Sequence, residues 1–484
     1  MNNEGADVTT DKSKRIHDQA PSELFSDFMK SGWAPSELSD LEPLEVVTYA
    51  FSRRQVLSEA FKGIRLVLPA GGYKVRANDT DYNYRPHSAY VYYGGVQGAD
   101  STADAVLVLE PSGDSHITYL YMNPRSTRDT DAFYRDAKYG ELWVGRRFTL
   151  DEAKARYQID TRHLAELQNL LKDGRETLTL RAVDPTIDPQ IKAHNREDEF
   201  VAFVSEQRLC KDEYELQEMQ RAVDATALGF NDVIHALPAA VQTPRGERVL
   251  DAAFYGRARI LGNDLGYNTI VGAGSHACVL HWIRNDGDVK RGELVLIDAG
   301  VEMESFYTAD ITRTLPIDGK FSPAQRALYM LVYESQLAGF AAIKPGVLFS
   351  EINKACQAVL AQGLVDMGVL TVSAEESMKP EIGLHRRWTL HGVSHHLGLD
   401  VHDCAQARKE EYLDAPLREG MVLTVEPGLY IQPDDELFAP EYRGIGIRIE
   451  DDVVVTADGC HNISENIPRH PDEIEKWMKN GLGR

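Results

Sequence analysis

Residues 294–297 read Leu-Val-Leu-Ile, an unbroken apolar run that suits a strand buried on both faces better than a half-exposed one, and the run ends in an acid, Asp298. After Gly300 the chain passes through VEMESFYTA and presents a second acid, Asp310, followed by Ile311, Thr312, Arg313 and the closing Pro316. On this stretch alone two readings stand level. Either Asp298 caps a turn and Asp310 is solvated, or an apolar strand delivers two carboxylates to one place.

The chain around this stretch has 484 residues, enough for two or three domains with a full core, so neither disulfides nor metals are required for stability alone. Its 52 basic and 75 acidic residues leave a formal charge of -23, which repels nucleic acid and anionic membrane surfaces. Five cysteines, Cys210, Cys278, Cys356, Cys404 and Cys460, are far apart and form no CxxC pair, which indicates neither a disulfide framework nor a cysteine zinc site. The polar start MNNEGADVTTDKSKRIHDQ lacks the apolar core of a signal peptide, and no later run is long enough to span a bilayer. The expectation is a cytoplasmic protein.

Composition shifts divide the chain into an extension (1–45), an α/β domain (46–205) and a larger domain (206–484). The extension begins polar, with its first dozen residues expected to be mobile, and turns amphipathic at Leu24, Phe25, Phe28, Met29 and Trp33. Next come a helical RRQVLSEAF, strands at IRLVLPAG, AVLVLEP and ITYLYMN, a helical HLAELQNLLKD and a last strand at EFVAFVSEQ. Asp212 with Glu215 resembles a capping box, and Leu216, Met219 and Val223 follow at helical spacing, so a long helix is expected to reach about Leu237 and stop at Pro238. A second helix is expected at GERVLDAAFYGRARILG. Then come two strand candidates joined by a glycine-rich turn and a polar loop, with His281 in the second. Beyond Pro316, SPAQRALYMLVYESQLAGFAAI and SEINKACQAVLAQGLVDMGV read as amphipathic helices, and EIEKWMKNGL as a short one.

Four further places bear on the two acids. HGVSHHLGLDVHD carries His391, His395, His396 and His402; MVLTVEPGLY ends an apolar run on Glu426; YRGIGIRIEDD alternates Arg448 and Glu450 with isoleucines; and His281 precedes the opening strand. His391 and His395 are four apart, as on one helix face, but Gly392 follows the first histidine and the zinc-protease signature fails. Taken singly, Glu426 is as easily a surface acid before a turn. Taken together, Asp298, Glu426 and Glu450 each sit in or at the end of an apolar segment, where an ionised acid is costly unless paired or metal-bound. Two carboxylates about 4 Å apart repel by on the order of 4 kcal/mol at an effective dielectric of 20, so four converging acids call for cations. An oxygen-rich set with one histidine favours a pair of manganese-like ions over a thiolate zinc centre, and a metal pair that activates water makes the site hydrolytic.

At these residues the sequence strongly resembles the aminopeptidase P branch of the pita-bread metallopeptidases, relatives of prolidase, methionine aminopeptidase and the metal-free creatinase. The segments that carry the resemblance are YNTIVGAG with CVLHW, VLIDAG with ADITRT, HGVSHHLGLDVHD, TVEPGLY and YRGIGIRIEDD, spanning about residues 266–452. SRRQVLSEA, DTDYNYRPHSAYVYYGG and LWVGRR extend it to the amino-terminal domain of that branch. The resemblance implies an α+β fold, a pseudo-symmetric pita-bread catalytic domain preceded by a smaller α/β domain. It implies that Asp298 chelates one metal, that Asp310 and Glu450 bridge two, and that His395 and Glu426 complete the second. By the same matching, His281, His391, His402 and Arg448 line the reacting centre. Tyr430 borders a proline pocket, and Trp143 matches an aromatic residue that reaches a neighbouring subunit's active site.

The implied reaction is release of the amino-terminal residue from peptides with proline second, by an enzyme with two divalent ions, most simply Mn2+, and with the dimer or tetramer assembly of the family. The nearest alternative is prolidase, which cleaves only the dipeptide. A non-catalytic pita-bread interaction module and an organophosphate side activity are further alternatives. Three features depart from the family. Asp298 and Asp310 are one residue further apart than usual, so an insertion or bulge is expected between them. His396 stands where a bulky aromatic is common, and its expected role is packing. The segment between His402 and Glu426 is longer, which leaves Arg408 as a candidate for the substrate arginine against the reading of an ordinary surface residue.

Overall fold

The computed structural model describes residues 22–483, and the dozen residues expected to be mobile lie outside that span. The chain forms two compact units, one ending at Phe200 and the other beginning at Val201. In the first, Ser22 caps the helix Glu23–Lys30 by accepting from the Phe25 N–H. Phe25 and Trp33 pack edge-on against Tyr134 and Phe133, so part of the extension joins the body while Leu24 and Phe28 stay exposed. The unit's sheet has five strands in the spatial order Asp160–His163, Ser115–Met122, Val106–Ser112, Arg65–Pro69 and Thr177–Thr179. Arg65–Pro69 pairs antiparallel with Val106–Ser112 and parallel with Thr177–Thr179.

One expected strand is a helix: all of EFVAFVSEQ but its last residue, Gln207, lies in Glu197–Glu206. Its β-branched and aromatic residues favour a strand locally, but Phe200 and Val204 are four apart, at helical spacing, and each is buried. Glu197, Asp198 and Glu199 complement the positive end of the helix.

The second unit repeats one order of elements. A helix pair, Glu213–Gln242 with Gly246–Leu261, precedes the strands Ile270–Ala273, Leu294–Ala299 and Ile311–Pro316. A second pair, Pro323–Ala342 with Ser350–Asp366, precedes Val422–Val425, Gly428–Tyr430, Gly446–Arg448 and Asp451–Val455. Asp212 and Glu215 form the expected capping box. The helix nevertheless runs through Pro238 to Gln242. Proline removes one backbone donor and costs about 3 kcal/mol in a helix interior, and burial of Ile234, Leu237 and Ala240 on the flanking turns offsets that cost. The second strand candidate before Leu294 is also absent. Gly274–Cys278 is a short 3-10 turn and His281 sits in a loop tied down by the Trp282 indole, which donates to Glu247.

The strand Leu294–Ala299 is buried throughout and lies between Ile311–Pro316 and Ile270–Ala273, both antiparallel to it. Its register with Ile311–Pro316 is unbroken, so the extra residue between Asp298 and Asp310 sits in the connecting loop, where Phe306 takes φ 68°, and not in a bulge. Gly300 closes this hairpin, because a Cβ there would collide with the Ala309 carbonyl. Among the described residues, no helix is long and apolar enough to cross a membrane.

Candidate metal centre

Pairing fixes which acids meet. Asp298 lies opposite Thr312, and Asp310 is two residues before Thr312, so all three point to one face. The Glu450 N–H donates to the Thr312 carbonyl at 3.1 Å, which lays the Arg448–Glu450 segment beside the same strand. In the other half Thr424 pairs with Asp452 and Val425 with Asp451, and one step further along that register Glu426 faces Glu450. The histidine loop follows the outer side of Val422–Val425. Glu426 N–H donates to Val393 O, Thr424 N–H donates to His395 O, and His395 N–H donates to the Thr424 hydroxyl. His391 and His395 are therefore brought together by an extended loop pinned to a strand, and not by the helical face their spacing suggests.

These residues line a cavity of about 650 Å³ with His281, His402, Tyr267, Ile270, Leu280 and Ile283. A larger concavity of about 880 Å³ in the first unit, bordered by Arg54, Ser58 and His116, holds none of the expected site residues. Asp310, His395 and Glu450 each bring one ligand atom within 4.8 Å of the others. His395 Nε2 is 3.3 Å from Asp310 Oδ2 and 3.6 Å from Glu426 Oε1, and His391 Nδ1 is 3.6 Å from Glu426 Oε2. The His402 ring stands edge-on to that of His395, centroids 4.5 Å apart. On the opposite wall Arg448 donates to Asp298 Oδ2 at 2.6 Å, to the Tyr430 hydroxyl at 2.9 Å and to the Thr312 hydroxyl at 3.1 Å, while His391 Nε2 meets the Tyr430 hydroxyl at 2.7 Å.

The electrostatics of this set fit a cation. Burial, with the repulsion of Asp310 added, pushes Glu426 up to about 7 against the pull of His395. Burial likewise raises Asp310, and it raises Glu450 well above the carboxylate range with Asp310 and Glu426 contributing. Burial opposes a proton on His395, yet Asp310 and Glu426 outweigh it and lift the ring to about 9. Burial and Arg448 lower His391 to about 4, and burial with His395 lowers His402. Four acids with a single arginine and a borrowed histidine proton between them form an oxygen-rich donor set that divalent ions would neutralise.

Reading residues alone missed two members of the site. Tyr267 donates toward Asp298 Oδ1 at 2.6 Å and Asp310 Oδ1 at 2.5 Å, so its hydroxyl spans the two aspartates. The Thr312 hydroxyl donates to Glu450 Oε2 at 2.6 Å. Tyr267 opens the segment YNTIVGAG, and Thr312 is two residues from Asp310 on a strand, which is the one local signal for it. Of its two readings, Arg408 takes that of an ordinary surface residue: it pairs with Glu206 at 2.7 Å and is 62% exposed outside the cavity, whereas Arg448 lines it. His396 packs as expected, stacked on Phe349 and edge-on to Tyr412. Trp143, 43% exposed in the first unit, donates its indole N–H to Tyr134 O.

An α+β unit that gathers four carboxylates and a loop histidine around one cavity has the donor set of a metal-dependent hydrolase. Residues 217–457 match metallopeptidase family M24, and residues 50–179 match the aminopeptidase P amino-terminal domain. The chain is 49% identical over 461 residues to Xaa-Pro aminopeptidase 1 of Streptomyces coelicolor, covering 94% of this chain and 92% of that one. It is 33% identical over 448 residues to Xaa-Pro aminopeptidase of Escherichia coli (strain K12), covering 88% and 96%. Among solved structures, aminopeptidase P from E. coli with the inhibitor Pro-Leu superposes with a TM-score of 0.78 at 31% identity, over 93% of this chain and 100% of that one. The chain belongs to metallopeptidase family M24, in its aminopeptidase P branch, and is a pita-bread metallopeptidase that uses divalent metal.

Proposed function

We propose that the protein is a manganese-dependent Xaa-Pro aminopeptidase of the cytoplasm, acting as a homo-oligomer on peptides with proline in second place. The observation that carries this reading is the convergence of Asp298, Asp310, His395, Glu426 and Glu450 on one buried cavity. Asp298 would hold one ion, Asp310 and Glu450 both, and His395 with Glu426 the second. When bound, the ions activate water and polarise the scissile carbonyl.

The chain's own residues supply the rest. Glu426, between His391 and His395, receives a proton at its carboxylate. His402 lies beside His395 as a donor to charge that develops on the substrate oxygen. Arg448, anchored on Asp298, Tyr430 and Thr312, holds the Tyr430 hydroxyl against His391. Ile270, Leu280 and Ile283 form the apolar side of the cavity, next to His281, and suit a proline ring. A bond to proline has no N–H, so a site that engages the carbonyl and the free amino end loses nothing when proline follows. Trp143, exposed on the first unit, is assigned to a second copy's substrate site.

Turnover of a tripeptide with proline second should appear on manganese loading and vanish with a chelator, while the dipeptide ending at that proline is cleaved poorly. Dipeptide-only cleavage would replace this reading with prolidase, and no cleavage despite bound metal would end both.

A further inference from the structure

A second cavity, about 570 Å³, adjoins the catalytic one, since His391, Gly392 and Ser394 line both. Its character is opposite to that of the metal centre. In a chain of formal charge -23, it is bordered by four cations, Lys354, Lys379, Arg386 and Lys409, and one acid, Asp414. Lys409 is paired with Asp414 at 2.9 Å and Lys354 with Glu351 at 2.5 Å. Lys379 and Arg386 have no ion pair among the described residues. Between the cations lies apolar surface that water does not favour: Leu390 is 62% exposed and Leu413 48%.

Two polar groups on the lining lack partners. Gln357, 4% exposed, spends its amide N–H on the Thr389 hydroxyl and leaves its buried Oε1 without a hydrogen bond. The buried Oγ of Ser394, on the strip shared by the two cavities, also has none. A buried acceptor without a donor costs about 1–3 kcal/mol unless something fills it. An extended peptide is the chemistry that answers all three features. Its backbone N–H groups, which begin at the residue after proline, satisfy the acceptors, its side chains cover Leu390 and Leu413, and a carboxylate meets the free cations.

We propose that this groove binds the substrate chain beyond proline and that Lys379 and Arg386 recognise a carboxylate on it. The proposal rests on the aminopeptidase reading above. The carboxylate can be the peptide's own carboxy-terminus or an acidic side chain.

The test uses the manganese-loaded full chain and peptides of three to seven residues with proline second, each as free acid, as carboxy-terminal amide, and as amide with one internal glutamate. Free acids of the reaching length, or the glutamate amides, should show kcat/KM roughly 3–10-fold above the plain amides at low salt, as for one or two half-exposed ion pairs, and salt should erode the difference. A preference tied to one length identifies the chain end, and a preference for glutamate at any length identifies the side chain. The double variant Lys379→Ala, Arg386→Ala should abolish the preference and leave turnover of the plain amides unchanged. Equal rates for acid and amide at every length, or a preference that survives the double variant, would overturn the proposal. Absence of cleavage of every peptide would instead overturn the function on which it rests.

Discussion

Glu450 and Asp451 are neighbours on one segment, both buried, and they live in opposite circumstances. Asp451 has its counter-charge built in. Arg313 donates to it at 2.8 Å with both side chains 0% exposed, and Ser464 and Gln336 donate at 2.6 and 2.8 Å. Glu450 faces the other side, accepts from the Thr312 hydroxyl, and is driven toward protonation by burial and by Asp310 and Glu426. Adjacent positions on an extended chain project to opposite faces, so one residue step separates a structural ion pair from a carboxylate proposed as a metal ligand.

That contrast can be broken most strongly at Asp451. Asp451→Ala leaves Arg313 buried without its partner and should cost about 3–5 kcal/mol, read as a lowered midpoint in urea. Glu450→Gln should leave that midpoint close to the wild-type value, measured without metal, because burial already drives this carboxyl toward its neutral form and the amide keeps its shape. Its turnover should fall by more than the roughly 10–100-fold typical of losing an outer-shell partner. If Glu450→Gln proved as destabilising as Asp451→Ala, the two acids would share one role and the contrast would be void. Tyr267→Phe sharpens the same boundary. Losing the hydroxyl between Asp298 and Asp310 should weaken metal affinity by about 10–100-fold in a calorimetric titration, with little change in fold.

The smallest effect is expected in acid, at a third buried acid. Asp403 sits against Lys211 at 3.0 Å and Arg208 at 3.3 Å. Burial opposes its ionisation, but Arg208 and Lys211 outweigh it and hold it at about 2, below the ordinary 3.8. A folded value below the unfolded one means stability that is present above pH 3.8 and lost as pH falls toward 2. Asp403→Asn should therefore be less stable than wild type at neutral pH, with the gap closing as pH is lowered through that window. A gap that stayed constant across it would remove the ion pair as the cause.

Local pattern made much of the site legible. Apolar runs that end in Asp298 and Glu426 mark strand ends, and acids in such places have few solvated alternatives. The Asp212–Glu215 capping box and the helix pairs were readable for the same reason, since hydrogen bonds within four residues and periodic burial decide them. Failures came where distant packing overrode local preference. Val201, Phe203 and Val204 favour a strand but lie in a helix, and Pro238 is carried inside a helix by its buried neighbours. His281, expected on a strand, sits in a loop.

By itself, then, the sequence determined which residues could be ligands and on which apolar segments they ride, because those depend on neighbours one to four positions away. Tertiary structure alone decided how they are used. Arg448 finds Asp298, Tyr267 spans Asp298 and Asp310, Arg313 claims Asp451 while Glu450 turns to the cavity, and a basic groove opens beside an acidic centre. Those choices depend on strand register and on which faces meet across 30 to 150 residues of chain, a distance over which no local pattern carries information.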